Sequence, residues 1–214
     1  MLDAMTGLST RTLAFTDDGV ADEDVRLAAS LVRAHEVALL GAPETTEDEL
    51  RDWLGVPWTD REASCIVLVD GEPAAATWVT RDDLARQSFL VVNAPPGAHH
   101  REVSAYALDR AIEAARRHAE SAGVEGWSAR SGSWIEDAEH FELLEERGFT
   151  PVRRFYQMLI ESSSPAIPAA APPLPPGVEI VVAREEDAYR ALYDVDCASF
   201  VDHWNFVAHP YDEW

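Results

Sequence analysis

Apolar and polar positions follow two alternating periods along the first three quarters of the chain. Thr10 to Phe15 has the length and alternation of a strand, and Asp17, Asp18 and Gly19 supply the turn after it. From Asp22 the period becomes helical. Val25, Ala28, Val32, His35 and Leu39 share one face, Leu27, Leu31, Ala34 and Ala38 widen it, and Gly41 and Pro43 end it. Thr45, Thr46 and Glu49 mark a second helix start, with Leu50, Trp53 and Leu54 as its buried side, closed by Pro57 and Trp58. Cys65 to Val69 and Ala74 to Thr80 read as strands flanking the tight-turn pair Asp70-Gly71.

The next stretch organises the rest. Gln87 to Val92 reads as a strand, APPGAHH as a loop, and REVSAYALDRAIEAARRHAES as a long helix striped by Leu108, Ile112, Ala115 and Ala119. A strand, a loop and a helix start in this order leave unpaired N–H groups and a positive dipole end, a natural seat for an anion. Gly123 stops the helix, and Gly126 to Arg130 reads as a strand. Ser133 and Glu136 have capping-box spacing ahead of a short helix with Ala138, Phe141 and Leu144 inward and Gly148 at its C-cap. Arg153 to Ile160, RRFYQMLI, reads as a final strand of a first domain, 1–161.

Composition then shifts. Residues 162–177 are rich in Pro, Ala and Ser, an extended linker. Beyond it, Val178 to Ala183 reads as a strand and Glu185 to Phe200 as a helix, repeating the opening plan. Residues 178–214 are too short to bury a core of their own, since units below about 40 residues seldom fold alone. Such a tail packs on the first domain, exchanges into a second copy to make a homodimer, or begins a second domain. The repeated plan favours the last.

Charge narrows the partners. With 39 Asp and Glu against 17 Lys and Arg, the net charge is −22. Nucleic acid and anionic membrane surfaces repel such a chain. The N-terminal stretch lacks a basic region followed by an apolar run, and no later segment is long and apolar enough to span a bilayer, so a cytoplasmic location is expected. Cys65 and Cys197 read as buried free thiols, and no His, Cys or carboxylate set has metal-ligand spacing. His35, on an apolar face, reads as a packed, satisfied histidine. Arg110, Arg116 and Arg117 read as cations favoured by the helix dipole over an anion site.

The element order, the LLEERGF ending of the short helix, the linker and the ASFVDHW segment together resemble the GNAT acyltransferase superfamily over about Thr10 to Ile160. The tail resembles the start of another such unit, as in tandem proteins of the mycothiol synthase-like group. The resemblance implies an α/β fold, a mixed central sheet flanked by helices, with a C-terminal βα fragment of a second unit. It implies acyl transfer from acetyl-coenzyme A or another acyl-coenzyme A to a small-molecule amine. The pantetheine arm would lie in the gap between the strands Gln87–Val92 and Gly126–Arg130, against the backbone of Val91 and Val92. A loop of the form R/Q-x-x-G-x-G/A would wrap the pyrophosphate, a place filled here by His99, His100, Arg101, Glu102, Val103 and Ser104.

The chain departs from that pattern twice. Glu102 and Ser104 stand at the two glycine positions, where a Cβ limits backbone approach and the Glu102 charge repels phosphate. The family's frequent tyrosine acid corresponds to Leu144, and its frequent Asn at the helix start to Asp137. Tyr106 and Tyr156 do not match the tyrosine's place, so no catalytic residue is assigned. The expected reading is a non-catalytic first domain of a tandem acyltransferase. Alternatives are an active first domain, with His99, His100, Arg101 and Ser104 holding the pyrophosphate, or a binding or dimerisation module without chemistry.

Overall fold

A computed structural model describes residues 7–214 except Asp18, Ala98, Gln157, Leu159, Glu161, Ser162, Pro168 and Ala169. Asp18 of the first turn, parts of the linker and two residues of RRFYQMLI therefore lie outside the described residues, as do Met1 to Thr6. The described chain divides after Thr150 into two compact units.

The first unit is built on a five-stranded sheet of order β1-β4-β5-β6-β7: β1 (Leu8–Thr12), β4 (Cys65–Val69), β5 (Glu72–Asp82), β6 (Gln87–Asn93) and β7 (Ser128–Ser131). All neighbours are antiparallel except β6 and β7, which run parallel. The first predicted strand is split: β1 joins the sheet, while β2 (Phe15–Thr16) pairs with β3 (Gly19–Val20) in a small ribbon. Asp70 and Gly71 both adopt positive φ, as the tight β4–β5 hairpin requires.

Period-two alternation sends side chains to both faces, and each face is covered. Ile66, Ala76 and Trp78 meet α1 (Asp22–Leu40) and α2 (Glu47–Gly55). Val67, Ala75, Val79, Leu90 and Val92 meet α3 (His100–Ala122) and α4 (Ala138–Glu146). The α2 start is a full capping box: Thr46 accepts from the Glu49 N–H, and Glu49 accepts from the Thr46 N–H. On α3 the buried face runs through Ala107, Ala111, Ala114 and His118, with Ile112 at its margin rather than its centre. Small residues let the helix lie close to the sheet.

Three expectations need correction. α4 is capped not by Ser133 with Glu136 but by Asp137, whose carboxylate accepts from the His140 N–H at 3.0 Å. Its inward residues are His140, Leu143 and Leu144, while Phe141 faces out. Neither the described residues of 153–160 nor Val178 to Ala183 form a strand. A strand is held by its ladder, and these segments have none: Val152, Phe155, Met158, Ile180 and Val182 are all well exposed. The second unit, from Pro151, contains α5 (Glu186–Phe200), with the Tyr193 hydroxyl donating to the His209 carbonyl at 2.7 Å and Arg190 lying 4.1 Å over the Tyr211 ring.

Candidate functional site

The β6–β7 pairing stops at Leu90 and Ser131, yet β6 continues to Asn93. The Leu90 carbonyl accepts from the Ser131 hydroxyl on the β7 side, and the Val91 carbonyl accepts from the Thr77 hydroxyl on the β5 side. Strand alternation therefore turns the Val92 N–H and C=O back toward the β7 side, past the point where β7 has ended. The Val92 backbone thus lies past the last β6–β7 pair, while Val91 is paired to β5.

The loop after β6 delivers the N-terminus of α3. Here the three basic residues read as anion-binding are already engaged. His99 Nδ1 meets Glu102 at 3.0 Å. Arg101 spans to α4, donating to Glu142 at 3.3 Å and Glu146 at 2.6 Å. His100 is buried with Nε2 3.3 Å from Asp137. Val103 and Ser104 are buried in the helix–sheet packing. Beside this helix start lies a cleft of about 370 Å³, bounded by Leu31, Pro73, Ala74, Gly97, His100 and Val103, with Glu72 among its lining.

Asp137 gathers more than a helix cap. Its second oxygen lies 2.9 Å from His35 Nε2, on α1. α1 covers one face of the sheet and α4 the other, so this bond joins the two layers beyond the ends of β6 and β7. His35 is thus packed, as read, but its Nδ1 is buried without a partner, as are His100 Nδ1 and both ring nitrogens of His140. Burial would raise the Asp137 carboxyl, but hydrogen bonds from His35, the His140 N–H and His100 outweigh it and hold it at about 2. Burial lowers His140, partly offset by Asp137 and reinforced by the neighbouring His35 and His100. The His35 and His100 ring centroids are 6.1 Å apart, so two protonated rings there repel by roughly 3 kcal/mol at an effective dielectric near 20.

A second polar network lies elsewhere in the first unit. Ser88 Oγ contacts His118 Nδ1 at 2.9 Å, His118 Nε2 contacts Asp60 at 2.8 Å, and the Trp127 indole donates to Ser88 Oγ at 3.1 Å. The order matches a nucleophile–base–carboxylate relay. Ser88 is wholly buried in mid-strand, however, so no substrate reaches its hydroxyl. The network is structural. Sequence reasoning named none of its members. The one signal was His118 in line with Ala107, Ala111 and Ala114.

Leu144, at the expected tyrosine place, is buried in the core, and Tyr106 packs partly against the same cluster. Cys65 is buried and free, its thiol raised by burial against the opposing Arg110; Cys197 is half-buried and free. Among the described residues no group of three or more His, Cys, Asp or Glu is arranged to hold a metal ion, and no helix is long and apolar enough to cross a membrane.

A mixed sheet with helices on both faces matches the fold of GCN5-related N-acetyltransferase structures. The chain is similar to a GCN5-related N-acetyltransferase from Sphaerobacter thermophilus, with a TM-score of 0.61 at 19% identity, covering 97% of this chain and 61% of that one. It therefore spans under two thirds of the length of that protein. It is also similar to a predicted acetyltransferase from Clostridium acetobutylicum solved with acetyl-CoA, with a TM-score of 0.49 at 11% identity over 71% of this chain and 96% of that one. An acetyltransferase of the GNAT family from Streptococcus pneumoniae gives a TM-score of 0.44 at 17% identity, over 67% and 84% of the two chains. No family model matches the chain, and neither does any curated protein.

Proposed function

We propose that this chain belongs to an N-acyltransferase that moves an acyl group from acyl-coenzyme A to a small-molecule amine, and that its first unit is the non-catalytic member of a tandem pair. The observation that carries the reading is the pairing of every basic side chain at the α3 start. His99, His100 and Arg101 each face a carboxylate already, so a pyrophosphate would have to break those pairs and meet Glu102. The buried Leu144 supplies no proton to a leaving thiolate. The tandem arrangement is supported by the Pro-rich stretch after the first unit and by an alignment to the Sphaerobacter protein that covers nearly all of this chain but much less of that one. On this reading the segment from Val178 onward belongs to the catalytic unit. The net charge of −22 favours a small amine over nucleic acid or an anionic membrane as partner, and suits a cytoplasmic protein. Contact between copies through the C-terminal segment is a further part of this reading.

Calorimetric titration of acetyl-coenzyme A tests it. The unmodified chain should give no binding heat at micromolar concentrations, and Glu102→Gly should strengthen binding by removing an exposed charge and a Cβ obstacle. Tight binding by the unmodified chain, with transfer to an amine, would establish the active-first-domain reading instead. That reading is favoured by one feature, the Val92 backbone lying past the last β6–β7 pair.

A further inference from the structure

Four buried imidazole nitrogens without partners surround one carboxylate at the place where the sheet stops separating its two layers. Buried polar atoms are nearly always paired, so four together require a cause. His100 bounds the cleft but its orphaned Nδ1 is buried, so a base acting on a substrate there would need that atom exposed. What the arrangement does hold in reserve is places for protons. With His35 and His100 donating from Nε2 to Asp137, both Nδ1 atoms carry free lone pairs, and both ring nitrogens of His140 are likewise buried without a partner.

We propose that His35, His100, His140 and Asp137 form a proton-operated clasp that ties α1 to α4 at neutral pH and loosens the first turn of α4 on mild acidification. The charge balance gives the direction. One carboxylate serves three imidazoles. Protonating one ring leaves a neutral buried pair, and protonating a second or third adds cations whose nearest further carboxylate is that of exposed Glu139, 3.9 Å from His100 Nε2. The surroundings do not rescue it. From α1, the Glu36 carboxylate is taken up by the Glu44 and Thr45 N–H groups. From α3, His99 is bonded to Glu102, and Arg101 is held by Glu142 and Glu146. From α4, Glu139 approaches His100 only to 3.9 Å and is exposed, while Arg147 adds positive charge acting on His140. An imidazole's ordinary charge change falls between about pH 5 and about pH 8. The clasp stands independently of the acyltransferase reading.

Hydrogen exchange on the full chain, without coenzyme A, tests the clasp and leaves the acyltransferase reading untouched. Between about pH 7.5 and about pH 5, the amides of the first turn of α4, the His140 N–H first among them, should lose protection by at least about tenfold beyond the intrinsic rate change. The strands β4 and β5 should keep theirs. His35→Gln donates to Asp137 but cannot titrate, so it should remove most of the effect; exposed His203→Gln should not. Nitrogen-15 imidazole spectra of the unmodified protein supply a reading that needs no variant: the three rings should titrate in linked steps. Unchanged α4 protection, equal loss across β4 and β5, unlinked titrations, or a stoichiometric metal removed by chelator would each overturn the proposal.

Discussion

Asp137 carries the sharpest consequences at the scale of a residue. Its carboxyl is held at about 2 against an ordinary 3.8, so the unfolded chain takes up the proton first as pH falls. Its contribution is complete above 3.8 and is lost as pH drops through about 2, a shift of nearly two units and hence roughly 2 kcal/mol. Asp137→Asn keeps an N-cap oxygen but loses the charge. Denaturant unfolding at neutral pH should show a loss of about 2–4 kcal/mol, with a shallower decline in strong acid; an unchanged midpoint would refute the role assigned to the carboxylate. His140 acts higher on the scale. Its folded form resists protonation, so stability begins to fall once pH drops below 6.5, where the unfolded imidazole charges. His140→Phe should flatten that slope, read from melting temperatures across the range. The sequence marked Asp137 only as a helix-start residue and left His140 unremarked. Their partner His35 is 102 positions from Asp137, and no local spacing encodes a meeting that depends on three helices packing at once.

At the scale of elements, local rules and tertiary demands separate cleanly. The α2 capping box follows from Thr46 and Glu49 alone, and Thr46→Ala should cost about 1 kcal/mol in chemical denaturation. The Ser88–His118–Asp60 network joins β6, α3 and the loop before β4. Ser88→Ala would orphan the Trp127 indole and one His118 nitrogen, at about 1–3 kcal/mol each. Activity toward an activated ester should not change, since the Ser88 hydroxyl is inaccessible; a serine-dependent ester hydrolysis would contradict the structural role. The opposite lesson comes from RRFYQMLI and VEIVVA. Both have strand composition, and the described residues of neither form a strand, because a strand's backbone groups are satisfied by a neighbour and not by its own sequence.

For the whole molecule, charge dominates. An excess of 22 negative charges repels itself in the compact state, while surface pairs such as Arg51 with Asp22 and Arg147 with Asp109 attract. Salt screens both, and at about 0.1 M charges more than about 10 Å apart are largely hidden from each other. The long-range repulsion is lost first, so the melting temperature should rise by several degrees between low salt and about 0.5 M sodium chloride, given about 2–4 °C per kcal/mol for a chain of this size. A fall with salt would mean that the local pairs outweigh the net charge.

The sequence by itself determined the order and kind of elements from Asp22 to Glu146, because helix and strand periods, capping pairs and turn dipeptides act within a few residues. It also determined the acidic surface and the lack of glycine at Glu102 and Ser104. Only the tertiary structure decided which side chains spend their charge on one another: Arg101 on α4, His100 and His35 on Asp137, His118 on Asp60. Those choices depend on the distances between packed helices, a quantity to which every buried residue contributes and which no single stretch of chain contains.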